Sequence, residues 1–217
     1  MARSARSVRF RALERSLKTL KSHLLPSSLS ATGNYTQAEY IRAAAFRVLA
    51  HAELEAYFED RVWDVALKSV QRLKSSGKSS RVVLALLAFS GLKLEGPPDQ
   101  LSPPPGVGQN IWSEKVELEN KLDAALAAFK RVIDGNHGVR EKNLLGLLLP
   151  VGVGPAELDA TWLATIDSFG ERRGTYAHRS YGAYGTTHVP DPGTELSTAE
   201  TIVQGVHALD AILSRLL

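Results

Sequence analysis

Cysteine is absent from the 217 residues. That excludes disulfides, a thiolate metal centre and a cysteine nucleophile. No apolar run approaches the ~20 residues a membrane-crossing helix needs, and no apolar signal core follows the first residues. The expectation is a cytoplasmic protein with no membrane contact. A Gly-rich phosphate loop is also missing: Gly106-Val107-Gly108 leads into no Lys-Ser/Thr pair. His-Glu-x-x-His does not occur, and His178, His188 and Asp191 have no spacing specific to a metal site, so neither a metal nor a cofactor is expected. No pair of alternating apolar runs carries hairpin-turn chemistry, and no repeat is evident. Hydrophobic residues make up 44% and charged residues 23%, which is ordinary globular usage and excludes a disordered or collagen-like chain.

Charge is present and uneven. Met1–Lys21 holds Arg3, Arg6, Arg9, Arg11, Arg15, Lys18 and Lys21 against Glu14 alone, a net +6 on a chain whose total is +3. A basic segment on a mildly acidic body fits contact with a polyanion, and it equally fits a solvated helix face.

Apolar periodicity predicts helices throughout. Phe10, Leu13, Leu17, Leu20 and Leu24 form the stripe of a first helix, ended by Pro26. Thr36 and Glu39 form a capping box for a second, which meets neither Gly nor Pro before Gly77. Its expected inward stripe is Ile41, Ala44, Val48, Ala52, Val62, Ala66, Val70 and Leu73, with Glu55 and Glu59 in its middle. Buried carboxylates need partners, and these two are expected to hold Arg or His side chains across the bundle. Val82–Phe89 reads as strand or helix by period alone, and its helical surroundings favour helix. Five of the ten prolines fall between Pro97 and Pro105, an inserted Pro/Gly-rich loop. Further helices are expected over Ser113–Asp134, over Val139–Leu149, from Pro155 through Leu158, Trp162, Ile166 and Phe169, and from a Ser197 or Thr198 cap onward. Tyr181–Gly193 reads as a loop. The fold class is an all-α, up-and-down helical bundle with a long second helix. It is one domain over residues 1–217, with 1–30 as a basic N-terminal helix and 31–217 as the core bundle. Trp63, Trp112 and Trp162 read as core or interface, and His51 and His137 as packing or capping residues.

One stretch carries candidate chemistry. Glu171-Arg172-Arg173-Gly174-Thr175-Tyr176-Ala177-His178-Arg179-Ser180-Tyr181 places three arginines around one histidine. Nearby cations keep an imidazole neutral, as suits a general base beside an anion. A basic helix end with a surface histidine fits the residues as well. Arg173-x4-His178 resembles the Arg-x4–6-His motif of the HEPN superfamily, and Arg172, one residue earlier, fits it too. Ala50–Asp60 resembles the second helix of the RiboL-PSP type of HEPN domain. Asn136–Leu144 and Pro150–Val153 resemble its middle. The resemblance runs from about Ala38 to the C-terminus.

The resemblance implies an all-helical, homodimeric, metal-independent endoribonuclease, acting on RNA and in several relatives serving as a toxin or phage-defence effector with an antitoxin or other protein partner. His178 would be the acid/base and Arg173 or Arg172 the phosphate stabiliser, with Glu55, Glu59, Tyr176, Arg179 and Tyr181 in support. In such a site a 2′-hydroxyl attacks the adjacent phosphorus, so DNA is not a substrate. Gly174 stands where the family often has Asn, Asp or His after the arginine. That departure favours the alternative, a non-catalytic HEPN module binding RNA, a nucleotide or a partner protein. Ser180 stands where some toxin members carry a modified tyrosine. A helix that ends or kinks at Gly174 would bring Arg173 and His178 together, and a two-fold axis would pair two His178 side chains across one cleft.

Overall fold

Ser7 accepts from the backbone N–H of Phe10 at 3.0 Å and starts α1 (Val8–Leu24), which buries Phe10, Leu13 and Leu17. The computed structural model describes residues 6–92, 117–178 and 190–217, the side chains of 175–178 excepted. The Pro/Gly-rich segment, Trp112, Arg179, Tyr181 and His188 lie outside them. Among the described residues every regular element is helical, so the bundle is all-α.

α2 (Gln37–Ser76) has 40 residues, about 60 Å of helix at 1.5 Å per residue. The expected capping box closes it: Glu39 N–H donates to the Thr36 hydroxyl and Thr36 N–H to Glu39 Oε2. Gly77, at φ 68°, ends it in the left-handed conformation that glycine adopts without strain. The inward face of its first half differs from the expected stripe. Ala43, Phe46, Ala50 and Leu54 are buried, while Ile41 and Ala52 are exposed. α2 is packed by other helices on several sides, so no single stripe describes it, and Arg47, His51 and Arg61 lie inside.

α3 (Arg81–Phe89) is a helix capped by Ser80. It buries Val82, Val83 and Leu86 and exposes Leu84, the spacing of a helix and not the alternation of a strand. α4 (Leu118–Asp134) stops at Gly135; the spacing predicts Leu118, Leu122, Ala125, Phe129 and Val132 as its inward stripe, but Leu118 and Val132 face solvent while Leu126 and Ile133 join the buried face. α5 (Glu141–Leu148) follows. Pro155 does not open the next helix. It opens a short 3-10 turn (Pro155–Glu157), Leu158 is extended, and Asp159 accepts from Trp162 N–H at 2.8 Å to start α6 (Ala160–His178). The last helix, α7 (Pro192–Arg215), begins before Ser197. Asp191 accepts from Thr194 N–H at 2.7 Å with Pro192 at the first position, whereas Ser197 and Thr198 bond back to the Thr194 carbonyl inside the helix. Asp191 is therefore a cap.

α2 is the axis of the bundle. Each of the other six helices among the described residues packs on it, α7 also packs on α1 and α6, and α4 joins α3 to α5. Trp162 is core, its indole N–H donating to the Ile202 carbonyl at 3.0 Å, and Trp63 packs partly buried against the core.

A buried carboxylate ties the ends of the chain together. Asp210 accepts from Ser7 N–H at 2.9 Å, from the Tyr57 hydroxyl at 3.0 Å and from Arg61 Nε at 3.0 Å. Burial pushes its pKa up, but hydrogen bonds from Ser7 and Arg61 outweigh burial and leave it below the usual carboxylate value. This contribution is complete above the unfolded pKa and is lost as pH falls through the folded one. Asp210→Asn presents an NH₂ to at least one of these donors. It is expected to lose roughly 2 kcal/mol and to flatten the acid limb of stability, read by urea unfolding from pH 5 to pH 2.

Candidate functional site

Arg47, His51, Glu55 and Glu59 follow one another at four-residue steps, so they form a polar ladder that winds slowly around α2. Burial decreases along it. The Arg47 and His51 side chains are 1% and 2% exposed, and Glu55 is 18% exposed. At the inner end, Arg47 forms a two-pronged pair with Glu195 of α7 (2.6 and 2.8 Å), donates to the Phe169 carbonyl at 3.2 Å and lies over the Phe169 ring. At the outer end, Asn136 Nδ2 donates to Glu59 Oε1 at 2.7 Å and to the Gly138 carbonyl, and Asn143 donates to Asn136 Oδ1 at 3.0 Å. The loop between α4 and α5 therefore closes over the ladder, with Gly138 directly against the His51 ring.

His51 occupies the middle. Its Nδ1 lies 3.6 Å from Glu55 Oε2 and has no hydrogen-bond partner among the described residues. The ring stacks at 6.3 Å on Phe169. Burial, then the positive charges of Arg173 and Arg47, lower its pKa to about 4, so the imidazole is neutral at neutral pH. Glu55 moves the other way. Burial and the charge of Glu59 raise its pKa against the opposing pull of Arg173 and His137.

The His51 shift has a consequence for stability. The folded pKa lies below the ordinary 6.5, so the unfolded chain takes up the proton first as pH falls. Stability from this residue is full above pH 6.5 and declines toward pH 4, by roughly 3 kcal/mol. His51→Phe is expected to flatten the profile over that window, measured as the difference between wild-type and variant urea midpoints.

α6 brings up the motif arginines and separates them. The Arg173 charge acts on His51 and Glu55, and that of Arg172 on Glu195. Arg173 Nε is buried without a hydrogen bond among the described residues. α6 runs unbroken through Gly174 to His178, contrary to the expected end or kink. One glycine costs about 1 kcal/mol in a helix, and the buried Ile166 and Phe169 hold α6 on α2. Positions 173 and 178 therefore stand about 140° apart around one continuous helix. Tyr176 and His178 belong to α6 by backbone; Arg179 and Tyr181 lie outside the described residues.

Glu59 is held by Asn136, and Glu55 lies 3.6 Å from His51 of its own helix while the charges of Arg173 and His137 act on it from across the bundle. His51 packs, as expected, but does so inside the polar ladder, while His137 is exposed at its rim. By sequence Arg47 has no role, His51 reads only as a packing or capping residue, and Asn136 and Asn143 stand only in a segment that carries the resemblance. The four-residue spacing of Arg47, His51, Glu55 and Glu59 was the available signal.

Among the described residues no group of three His, Cys, Asp or Glu could hold a metal ion, and no helix is long and apolar enough to cross a membrane. In the basic N-terminal segment, Arg6, just before α1, and Arg9 and Lys21 on it pair with Glu14, Asp60 and Glu200. Arg11, Arg15 and Lys18 are exposed and form no ion pair among the described residues. No family model, curated protein or solved structure matches this chain.

Proposed function

We propose that the chain is a metal-independent endoribonuclease of HEPN type. What supports this reading is the surroundings of Arg173. The motif arginine stands beside a neutral buried histidine and a partly exposed carboxylate, with a guanidinium N–H lacking a protein acceptor among the described residues. A planar cation with spare donors suits the non-bridging oxygens of a phosphodiester, on which charge builds in the transition state. His178 exchanges a proton with a reacting oxygen. In-line transfer needs both a base and an acid, and the motif supplies one histidine per chain. The second group comes either from the His178 of another copy in a homodimer or from another residue of the same chain. The exposed cations of α1 would hold RNA by its phosphates, without sequence preference. A cytoplasmic toxin or defence role, restrained by an antitoxin or similar partner, follows from the resemblance.

Gly174 and the continuous α6, with positions 173 and 178 about 140° apart, favour a second reading, a non-catalytic RNA-, nucleotide- or protein-binding module. Purified protein incubated with RNA in EDTA decides between them. Cleavage is expected to persist, to leave a 2′,3′-cyclic phosphate or its hydrolysis product, and to vanish in His178→Ala. Arg173→Lys is expected to be poorly active, since lysine lacks the planar fork. Binding without cleavage selects the second reading, and cutting of an all-deoxy strand excludes 2′-hydroxyl attack.

A further inference from the structure

α1 and α7 run antiparallel. Ser7 N–H donates to Asp210 just before α1 begins, and Lys21 meets Glu200 at 3.2 Å near its end. An open groove of about 670 Å³ lies between the two helices. Its floor is apolar: Leu17 of α1, Phe46 of α2, and Leu196, Ala199 and Val203 of α7. Leu17, Phe46 and Ala199 are buried, whereas Leu196 and Val203 are half-buried, so apolar surface faces the opening. From Leu196 to Gln204 the groove follows α7 for about 12 Å at 1.5 Å per residue.

The rim of this groove is charged on one side. Lys18 lines it, and Arg15 and Arg11 stand three and seven residues before Lys18, along the same flank of α1. All three are exposed and form no ion pair among the described residues. The carboxylates of the rim are already held, Glu14 by Arg6 at 2.9 Å and Glu200 by Lys21. An apolar floor therefore lies beside a row of cations that await negative charge.

We infer that the groove docks an acidic, amphipathic helix of a protein partner. Apolar side chains at i, i+4 and i+7 of such a helix cover about 10 Å, which matches the floor. Carboxylates repeated on one of its flanks meet Lys18, Arg15 and Arg11, which are themselves spaced i, i+4 and i+7. Burial on the floor supplies affinity, and the charged rim supplies orientation and speed of encounter. A nucleic-acid backbone would use the cations and leave the apolar floor uncovered, so the two features together favour a protein. The Lys21–Glu200 pair at one end is exposed on both partners and gives way at little cost. The groove shares no residue with the polar ladder, and the inference does not rest on the endoribonuclease reading. A docked helix covers the cations that reading gives to RNA, so the two ligands exclude one another on α1.

The test is fluorescence anisotropy of a labelled synthetic peptide titrated with the full chain. The peptide has roughly 18 residues, enough to hold a helix, with leucines along one face and glutamates on one flank. A control of the same composition scatters the leucines around the helix. Saturable binding that weakens with added salt is expected, with the control at least about tenfold weaker. Val203→Glu is expected to lose at least about tenfold in affinity with its circular dichroism unchanged. Arg15→Glu with Lys18→Glu is expected to weaken binding and to remove most of its salt dependence. If Val203→Glu does not fold, the exposed double reversal and the scattered control still decide. Equal binding of the two peptides overturns the inference, because charge alone would then explain it. Absence of peptide binding overturns it as well. In that event, an RNA oligonucleotide lost on the double reversal assigns the cations to nucleic acid, and a sedimenting dimer broken by Val203→Glu assigns the groove to a second copy of this chain.

Discussion

Gly205→Ala is expected to destabilise the protein by roughly 3–5 kcal/mol, from overpacking together with loss of a buried hydrogen bond. A Cβ at that position would lie 2.1 Å from Trp162 Cδ1 and 2.2 Å from its Nε1, closer than any non-bonded contact. The indole cannot turn in place. Its N–H donates to the Ile202 carbonyl, and its ring packs against Phe58. The one direction in which it can yield is the shallow groove of about 320 Å³ that it lines with Thr165, Gln204 and Ala208. Moving there exposes the ring and breaks the bond to Ile202, so a red-shifted tryptophan emission should accompany the lower urea midpoint. A companion Trp162→Leu should relieve much of the clash. An alanine variant within 1 kcal/mol of wild type would show that α6 and α7 separate more easily than their packing implies.

Arg47→Ala is expected to cost a similar 3–5 kcal/mol, because removing one partner leaves the other charge buried and alone. Glu195 is 3% exposed, and burial already pushes its pKa up against the opposing pull of Arg47. The same truncation frees the Phe169 carbonyl and empties the space over the Phe169 ring. The double replacement Arg47→Met with Glu195→Leu removes both charges and refills the volume, and should recover most of the loss. The coupling from a double-mutant cycle, read by chemical denaturation, is expected to exceed 2 kcal/mol, beyond what exposed pairs reach. Additive single effects would mean that water reaches this pair.

The helices that sequence revealed best had local punctuation. The Thr36–Glu39 box and Gly77 bound α2, and Gly135 ends α4, because caps act within a turn of the residues that make them. The misplaced starts had competing signals. Pro155 fits a first helical position, but the extended Leu158 and the Asp159 cap move the start of α6 onward. Ser197 and Thr198 resemble caps, but Asp191-Pro192 had already begun α7. The inward face of α2 was misread for a different reason. Periodicity assumes one buried side, whereas this helix is surrounded, and buried Arg47 and Arg61 break the apolar pattern to meet Glu195 and Asp210 on α7. The site was half legible. Glu55 and Glu59 stand out as charges on an apolar stripe, and Arg173 through its spacing to His178. His51 was set aside because a lone histidine on a helix carries no pattern of its own, and its company with Arg173 and Gly138 exists only in three dimensions.

The two buried arginines of α2 also impose an order of events during synthesis. Arg47 meets its carboxylate 148 residues later and Arg61 meets Asp210 149 residues later. At 5–20 residues per second, the ribosome takes about 7–30 s to deliver them. Until then α2 cannot bury Arg47 without an unpaired charge, and Arg61 has only Asp64 of its own helix at 3.3 Å, so the central stretch stays hydrated while α1 and α3 are already available. The nascent chain is thereby kept from collapsing onto α2 before α7 is made. A ribosome-bound chain stalled short of residue 195 should leave the middle of α2 open to protease, and emergence of the 24-residue α7 should close it in a single step.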